Sequence, residues 1–516
     1  MSDANAKIGR KDAGKVDPLE KKPLFDFTFD QAVKLRSQTP NVTSNAGVLM
    51  LREADDHLGV TNGIAAALVD YRDPKGVRYP MTELLRIVLY AIALGHSKQD
   101  DADILAHDPA FKTAVWDQSG PGVAGERLAS QPTISRLVAM LAPDPNREAL
   151  RQAISRPIFL HQRAGAEDHR VRLGVVDIDG YPVETHGDQP GAEYNGYYGK
   201  TIYNPLAAYF SVNGNFDSRR LGEGFLHARL RNGNASAAAG AESFIDDVIA
   251  KARGLARNVA LRLDAGFAGA KILNHIHQAG VRFTARLPDN NVLARLADPF
   301  LVRPPGRPPM EGREFAVELT GYRNPEWKHP YRVILVVVDK PDKYGRPGLF
   351  PNLFCLVTNW PPESRSPGTL LNHYRQRATF EDRIGEWNSL GVKLSLDSFE
   401  KNEAVLLLSM ISFNLLEILR SEMESARELR ENPPYAADSG WDMGRLVKIL
   451  LKAGAILSRS GRRLWFDLAE GLAPLWLSLL ERFQRWRKPP AARRPARQSG
   501  FRPLPKHAFA AYTPRL

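Results

Sequence analysis

The chain has 516 residues, of which 43% are hydrophobic and 25% charged, as is typical of a globular protein with about three domains. A single cysteine, Cys355, excludes a disulfide framework and a cysteine-rich zinc site. The longest apolar stretch, 405–416, is shorter than the roughly 18 residues that suggest a membrane span, and no secretory signal is visible. We therefore expect neither a membrane protein, nor a secreted one, nor a collagen-like one.

The net charge of +12 is concentrated near the carboxyl terminus. From Arg485 onward the chain carries nine Lys or Arg residues and no acid, so the rest of the chain carries only 12 − 9 = +3. A Pro-rich basic tail of this kind is usually disordered and can hold a polyanion such as nucleic acid by counterion release. The alternative is a solvated terminus without a partner, and the charge alone does not separate the two.

The first part of the chain divides into an irregular and a helical segment. Residues 1–44 have mixed charge and little apolar content, which predicts disorder. Residues 45–165 follow a helical period, and the apolar residues after Met81 predict a largely buried helix.

A further helix is predicted to begin at Ser130 or Gln131, just before a proline. Thr133, Ser135 and Arg136 then project polar groups from its first turns. Such side chains suit a recognition helix in the major groove of DNA, but they fit an ordinary core helix as well.

From Arg172 the pattern changes from helical to extended. The predicted strands are 172–179, 205–212, 225–230, 258–264 and 281–287, and helices are predicted at 238–253 and 268–279. Asn213-Gly214 is a hairpin signal after the second strand. Three antiparallel strands followed by alternating helices and strands predict an α/β or α+β sheet.

Three more strand-like segments, 314–319, 331–338 and 352–358, follow between Pro and Gly turns. They predict a β-rich insertion at 288–367. Helices resume after it, and residues 441–485 are predicted to form a last helical segment.

Three aspartates lie near the ends of predicted strands. Asp177 and Asp179 are two positions apart on one strand and project from the same face, while Asp264 ends another strand. Carboxylates in an apolar sheet are costly unless they are paired or bind a metal. Capping of turns at the sheet edge is the alternative for each of them.

Residues 371–388 are predicted to form one continuous helix. At 3.6 residues per turn, Arg377 lies about −60° and Glu381 about −20° from Tyr374, so the three share a narrow face. A phenol, a guanidinium and a carboxylate in line suit a phosphate held beside a metal. A helix surface salt-bridged to its neighbours is the alternative.

These motifs resemble the DDE transposases of bacterial insertion sequences, and more closely the branch related to the piggyBac transposases. The resemblance rests on the order and spacing of four motifs: Asp177-Ile-Asp179 with His186-Gly187, Gly196-Tyr-Tyr-Gly199, Arg262-Leu-Asp264, and Tyr374-x2-Arg377-x3-Glu381. It covers about residues 45–470. It implies an α/β fold with an RNase-H-like mixed sheet, a β-rich insertion, and helical regions at both ends.

The resemblance also implies an activity and its residues. Asp179, Asp264 and Glu381 match the catalytic carboxylates, with Asp177 as second choice for the first aspartate and a further metal ligand. The cofactors implied are two Mg²⁺ or Mn²⁺ ions, which assist cleavage and strand transfer.

Further residues are implied to contact DNA. Related transposases often carry a Lys seven residues after the glutamate, where this chain has Asn388. Arg377, Arg383 or Lys393 could replace that phosphate contact, and Tyr374 shares the face of Arg377. Thr133, Ser135 and Arg136 would read the inverted repeats. Trp360 could stack on a flipped base or be a core residue.

The resemblance gives boundaries to the predicted parts of the chain. They are a disordered segment at 1–44, a helical DNA-binding region at 45–165, the two parts of the catalytic core at 166–287 and 368–425, the β-rich insertion at 288–367 between them, a helical region at 426–484 and the basic tail at 485–516.

The partners implied are double-stranded DNA, both inverted-repeat ends and target, and a second copy of the chain, with no membrane. A cytoplasmic, nucleoid-associated location is expected. Two alternatives remain: a catalytically silent DNA-binding protein derived from such an element, and a hydrolase using Asp179 and Asp264 as an acid–base pair on a small substrate.

Overall fold

A computed structural model describes residues 41–117, 127–165, 170–213, 222–303, 311–341, 350–426 and 441–486, and the backbone of two short paired strands, β1 (Phe25–Asp26) and β2 (Lys34–Leu35). The basic tail beyond residue 486 and most of the segment predicted to be disordered lie outside the described residues.

The described amino-terminal part is helical, as its sequence period predicts. Its elements are β3 (Val42–Thr43), α1 (Val48–Leu58), α2 (Val60–Ala67), α3 (Met81–Ala93), α4 (Asp101–Leu105), α5 (Pro109–Val115), α6 (Gln131–Leu141), α7 (Asp144–Ala153) and α8 (Arg156–Gly165). Helix α3 begins after Pro80 and is buried on nearly all sides, because apolar residues surround its axis.

The middle of the chain forms the central sheet. Its elements are β4 (Val171–Gly180), β5 (Val183–Glu184), β6 (Glu193–Asn195), β7 (Lys200–Tyr203), β8 (Leu206–Val212), β9 (Gly224–Arg229), α9 (Ala241–Leu255), β10 (Ala256–Leu263), α10 (Ala270–Gln278), β11 (Arg282–Leu287), α11 (Asn291–Leu301), β12 (Arg313–Glu318), β13 (Arg332–Asp339) and β14 (Asn352–Thr358). Strands β5, β7 and β6 form a small separate sheet.

The central sheet has eight strands in the order β12-β13-β14-β11-β10-β4-β8-β9. Strands β4, β10 and β11 are parallel, and every other neighbouring pair is antiparallel. The order β9-β8-β4-β10-β11, with helices α9 and α10 at the parallel crossovers, is that of an RNase-H-like sheet. The mixed α/β fold predicted from the sequence is therefore confirmed.

The segment 288–367 contains the three predicted strands, but they do not form a separate unit. Strand β14 pairs with β11, from Thr284↔Thr358 to Leu287↔Cys355, so β12, β13 and β14 extend the central sheet. Apolar residues on β13 and β14 pack into the same core as β4 and β10. The insertion therefore widens the sheet instead of standing apart from it.

The last part of the chain contains α12 (Pro367–Arg375), α13 (Ala378–Ser389), α14 (Phe399–Ser425), α15 (Met443–Leu446), β15 (Ala455–Ser460), β16 (Arg463–Leu468) and α16 (Ala473–Arg485). The single helix predicted over 371–388 is two helices, α12 and α13, with a break at Gln376 and Arg377. Backbone bonds at the break close three-residue turns, such as Phe380 N to Arg377 O at 2.9 Å.

The region 441–485 was predicted to be helical, but it contains the hairpin β15–β16. Its turn includes Gly461 with φ +59°, a backbone conformation that favours glycine. Strand β15 also pairs with β3, at Ala455↔Thr43 and Ile456↔Val42, so the sheet joins distant parts of the chain. Alternation of buried and exposed residues on β15, a period of two, matches a strand and not a helix.

Helix α14 connects the helical region to the sheet. By length and composition it could cross a membrane, but 94% of its most apolar window is buried inside the protein, so it is the core helix of this fold. Two of its buried polar side chains bond to the helical region: Ser412 Oγ donates to Leu89 O at 2.7 Å, and Asn414 Nδ2 donates to Ile154 O at 2.7 Å. Asn414 also bonds both backbone groups of Phe225, which covers the edge strand β9.

Candidate active site

Asp179 and Asp264 lie side by side at the carboxyl ends of two parallel strands. The register pairs Asp177 with Arg262 and Ile178 with Leu263, so Asp179 and Asp264 are the next residues along β4 and β10. Asp264 then starts a single 3₁₀ turn, Ala265–Phe267. The carboxyl edge of parallel strands is where α/β sheets commonly place a site.

Asp177 lies below this edge in a buried ion pair. Both of its oxygens accept from Arg262, with Nε to Oδ1 at 2.7 Å and Nη2 to Oδ2 at 2.5 Å, and neither side chain is exposed to solvent. Burial raises the pKa of Asp177, and Arg262 opposes this shift. The prediction of Asp177 as a metal ligand does not fit this geometry, because Arg262 occupies both carboxylate oxygens.

Arg377 joins the sheet to the helix that carries Glu381. Located at the break between α12 and α13, it donates through Nη2 to Asp179 Oδ2 and through Nη1 to Glu381 Oε1 at 3.3 Å. The Asp179 side chain is 22% exposed, whereas that of Glu381 is 67% exposed. Arg377 and Glu381 therefore lie together, as predicted from their spacing, although the helix is not continuous through Tyr374.

Electrostatic effects show that these groups share one neighbourhood. Burial raises the pKa of Asp179 to about 6; Arg377 opposes the shift, and the charges of Asp264 and Glu381 add to it. Burial also raises the pKa of Tyr374 to about 12, with Arg377 lowering it and Asp264 raising it. Three carboxylates, one phenol and one guanidinium from distant parts of the chain thus act on one another.

The donor set suits a hard divalent cation, because carboxylate oxygens are the ligands that Mg²⁺ and Mn²⁺ prefer. Among the residues that the structure describes, however, no group of three His, Cys, Asp or Glu side chains is close enough together to hold a metal ion. Arg377 contacts Asp179 and Glu381 and supplies positive charge there. A cation bound to these carboxylates would replace that guanidinium as their partner.

The raised pKa of Asp179 predicts a pH-dependent stability difference. Between about pH 4 and pH 6 the unfolded chain loses this proton while the folded chain keeps it, so stability falls as pH rises and stays lower above pH 6. A shift of this size corresponds to about 2–3 kcal/mol. In EDTA, the free energy of unfolding of Asp179→Asn relative to wild type should therefore rise by that amount from pH 4 to pH 7. If the difference in unfolding free energy between the two proteins does not change with pH, the prediction of a raised Asp179 pKa is wrong.

The residues predicted to contact DNA lie in different environments. Arg383 is buried and donates to Glu386 Oε2 at 2.7 Å, so it belongs to the core and not to a phosphate contact. Lys393 is exposed on the segment between α13 and α14. The helical spacing could not distinguish these two, because it does not show which neighbours cover each face.

Helix α6 begins at Gln131, where the sequence predicts it, and packs its apolar face against other helices. Ser135 and Arg136 are exposed and Thr133 is half-buried. Thr133 and Arg136 line a cavity of about 730 Å³ together with Arg78 and Arg127. The exposed face of α6 thus lies in a basic surface.

Sequence reasoning assigned no role to Tyr197 and Tyr198, which lie in the turn between β6 and β7. Asn195 Oδ1 accepts from Tyr197 N at 3.0 Å, and the Tyr197 ring is 90% exposed. Burial and the charges of Asp179, Tyr197 and Asp264 raise the pKa of Tyr198. The sequence did contain a signal for this exposed pair, because two adjacent tyrosines flanked by glycines have few neighbours that could bury them.

Comparisons with known proteins identify the family of the chain. No curated protein is significantly similar in sequence to the chain. A solved structure, described as a cryo-EM structure of the piggyBac transposase synaptic complex with hairpin DNA, matches with a TM-score of 0.39 and 11% identity over 78% of this chain and 79% of that one. Residues 25–487 match the family described as transposase DDE domain group 1. The chain therefore belongs to the DDE-domain transposases.

Proposed function

We propose that this protein is a DNA transposase that binds the terminal inverted repeats of an insertion sequence, cleaves the DNA there and transfers the strand to a target. The observation that carries the proposal is that Arg377 donates to both Asp179 and Glu381, while the strand register sets Asp264 beside Asp179, so the three carboxylates lie around one guanidinium. They come from β4, β10 and α13, and the two others raise the pKa of Asp179. A raised carboxylate pKa beside further charged groups is typical of a catalytic site.

In this proposal Asp179, Asp264 and Glu381 would hold two divalent ions. Such ions lower the pKa of water and stabilise the leaving oxygen of a phosphodiester. The strand ends hold Asp179 and Asp264 in fixed relative positions. Glu381 is contributed by α13, which lies much later in the chain. Rigid positioning of these ligands supports catalysis because little reorganisation is then needed.

Arg377 and Tyr374 would bind the phosphate groups of the DNA strand. When the carboxylates take metal ions, the Arg377 guanidinium becomes available for a phosphate, which it can bind through two parallel N–H donors. Tyr374 remains protonated at neutral pH because its pKa is about 12, so its hydroxyl can donate to a phosphate oxygen. The exposed Lys393 and the face of α6 with Thr133, Ser135 and Arg136 would extend the contact.

A cleavage assay separates this function from that of a catalytically silent DNA-binding protein. The substrate is a plasmid carrying the gene with its genomic flanks, incubated with the full chain and millimolar Mg²⁺. We expect breaks that map to the ends of inverted repeats and that disappear when EDTA removes the metal, because the ions would activate the water and stabilise the leaving oxygen. Ca²⁺ in place of Mg²⁺ is the control for binding without chemistry. Specific binding with no breaks in Mg²⁺ or Mn²⁺ would instead support the silent protein.

A further inference from the structure

A second basic site lies at the opposite edge of the central sheet. We name it the arginine groove; Arg172, Arg253, Arg257, Arg282 and Arg365 line it, together with Trp360. It has a volume of about 830 Å³. Arg172 lies seven residues before Asp179 on β4, which places the groove roughly 23 Å from the carboxylates along the strand.

Among the residues that the structure describes, five arginines and no acidic residue line the groove. Arg253 Nη2 donates to Ala279 O at 2.5 Å and Arg282 Nη1 donates to Asn359 O at 2.7 Å. These acceptors are neutral carbonyls, so they hold the guanidinium groups in place without cancelling their charge. Burial and the charge of Arg262 lower the pKa of Arg365, as expected where positive groups crowd together.

Trp360 gives the groove a rigid aromatic wall. Its ring lies 4.4 Å from the Arg365 guanidinium carbon and 5.9 Å from that of Arg282. Its backbone is fixed, because Arg332 Nη1 donates to Trp360 O at 3.0 Å. Cations stacked on a fixed ring keep their planar N–H edges in defined directions. The wall thus presents arginines in an orientation suited to phosphate oxygens.

The spacing of the arginines fits an extended polyanion. Arg172 lies on β4 and Arg282 lies at the start of β11, with β10 between the two strands, so these arginines span about 10 Å across the sheet at the usual strand separation. Over that length a DNA duplex carries about six phosphate charges, at one per 1.7 Å. A single phosphate is too small to reach both ends of this span.

We propose that the arginine groove binds the phosphate backbone of duplex DNA at a place separate from the cleavage site. The inference rests on the proposed function only in taking DNA as the ligand. The contact is sequence-independent, because the groove offers guanidinium groups to phosphates and no element that enters a base-reading groove. DNA held by Arg172 lies at the opposite end of β4 from Asp179.

A thiol placed at the groove tests occupancy directly. The native Cys355 is buried, and burial raises its pKa to about 11, so it reacts slowly with a maleimide. The exposed Ser364 lines the groove, and Ser364→Cys introduces one reactive thiol; Ser458→Cys, on β15, is the matched control. In EDTA, a random-sequence duplex should slow alkylation at 364 by about tenfold or more and leave 458 nearly unchanged, because bound DNA excludes the reagent.

Charge reversal gives the second readout. In the Ser364→Cys chain, Arg172→Glu with Arg282→Glu should abolish the protection and reduce the slope of log affinity against log salt by about 2, since two phosphate contacts are lost. The same reversal at Arg295 and Arg323, two exposed arginines outside the groove, should change neither quantity. Equal protection of both thiols, or equal protection by inorganic phosphate, would overturn the proposal. Since no metal or end sequence is used, protection does not depend on cleavage activity.

Discussion

Replacing Asp264 with asparagine should lower the rate of DNA-end cleavage at least about a thousandfold, equivalent to roughly 4 kcal/mol of transition-state stabilisation. Asparagine keeps the size of the side chain and removes its negative charge, so a divalent ion loses a ligand while the strand end keeps its shape. The same loss is expected for Asp179→Asn and Glu381→Gln. Binding of end DNA, measured by electrophoretic mobility shift in Ca²⁺, should change by less than about threefold, because phosphate contacts supply most of that affinity.

Asp382→Asn is the matched control for this series. Asp382 is exposed and directly follows Glu381 on α13, so it points about 100° away around the helix. It should retain nearly full cleavage activity. If Asp264→Asn cleaves at the rate of the Asp382→Asn protein, the assignment of the three carboxylates is wrong, even if the chain still binds DNA.

Replacing Arg262 with methionine should lower the free energy of unfolding by about 3–5 kcal/mol, because it leaves the buried Asp177 charge without a partner. It also removes the hydrogen bond from Arg262 Nη1 to His373 O, 2.9 Å long, that ties β10 to α12. Urea unfolding followed by circular dichroism measures the change. Arg286→Met, on the exposed face of neighbouring β11, should cost less than about 1 kcal/mol.

The double variant Asp177→Leu with Arg262→Met tests the cause. If the cost comes from the unpaired carboxylate, replacing both partners with apolar side chains should restore most of the lost stability. A double variant as unstable as Arg262→Met would attribute the loss to packing instead. Because Asp177 lies two residues before Asp179 on β4, cleavage activity should follow stability in this series.

The sequence predicted the strands of the RNase-H-like sheet because each has a local apolar pattern and a clear boundary. It did not predict that β12, β13 and β14 join that sheet, because the residues of a strand do not determine which other strand it pairs with. The break at Gln376 and the hairpin at 455–468 were missed for a related reason. The backbone of these segments is fixed by side chains from other parts of the chain that pack against them. The spacing of residues within a segment gives no information about those contacts.

The candidate site was predictable where charge and spacing coincide, as for Arg377 and Glu381. The pairing of Asp177 with Arg262 was not, because the two residues are 85 positions apart and meet only through the register of β4 and β10. The arginine groove is the extreme case. Its residues come from separate strands and loops, each unremarkable in its own segment, and only the fold places them together.

The position of α14 has a consequence for how the chain is made. Ser412 on this helix bonds to Leu89, which lies 323 residues earlier, so the early helices have no central partner until most of the chain exists. At roughly 5–20 residues per second, a ribosome needs about 16–65 s to cover that interval. We expect the nascent helical region to stay protease-sensitive and chaperone-dependent during that time, which proteolysis of stalled ribosome-bound chains would reveal.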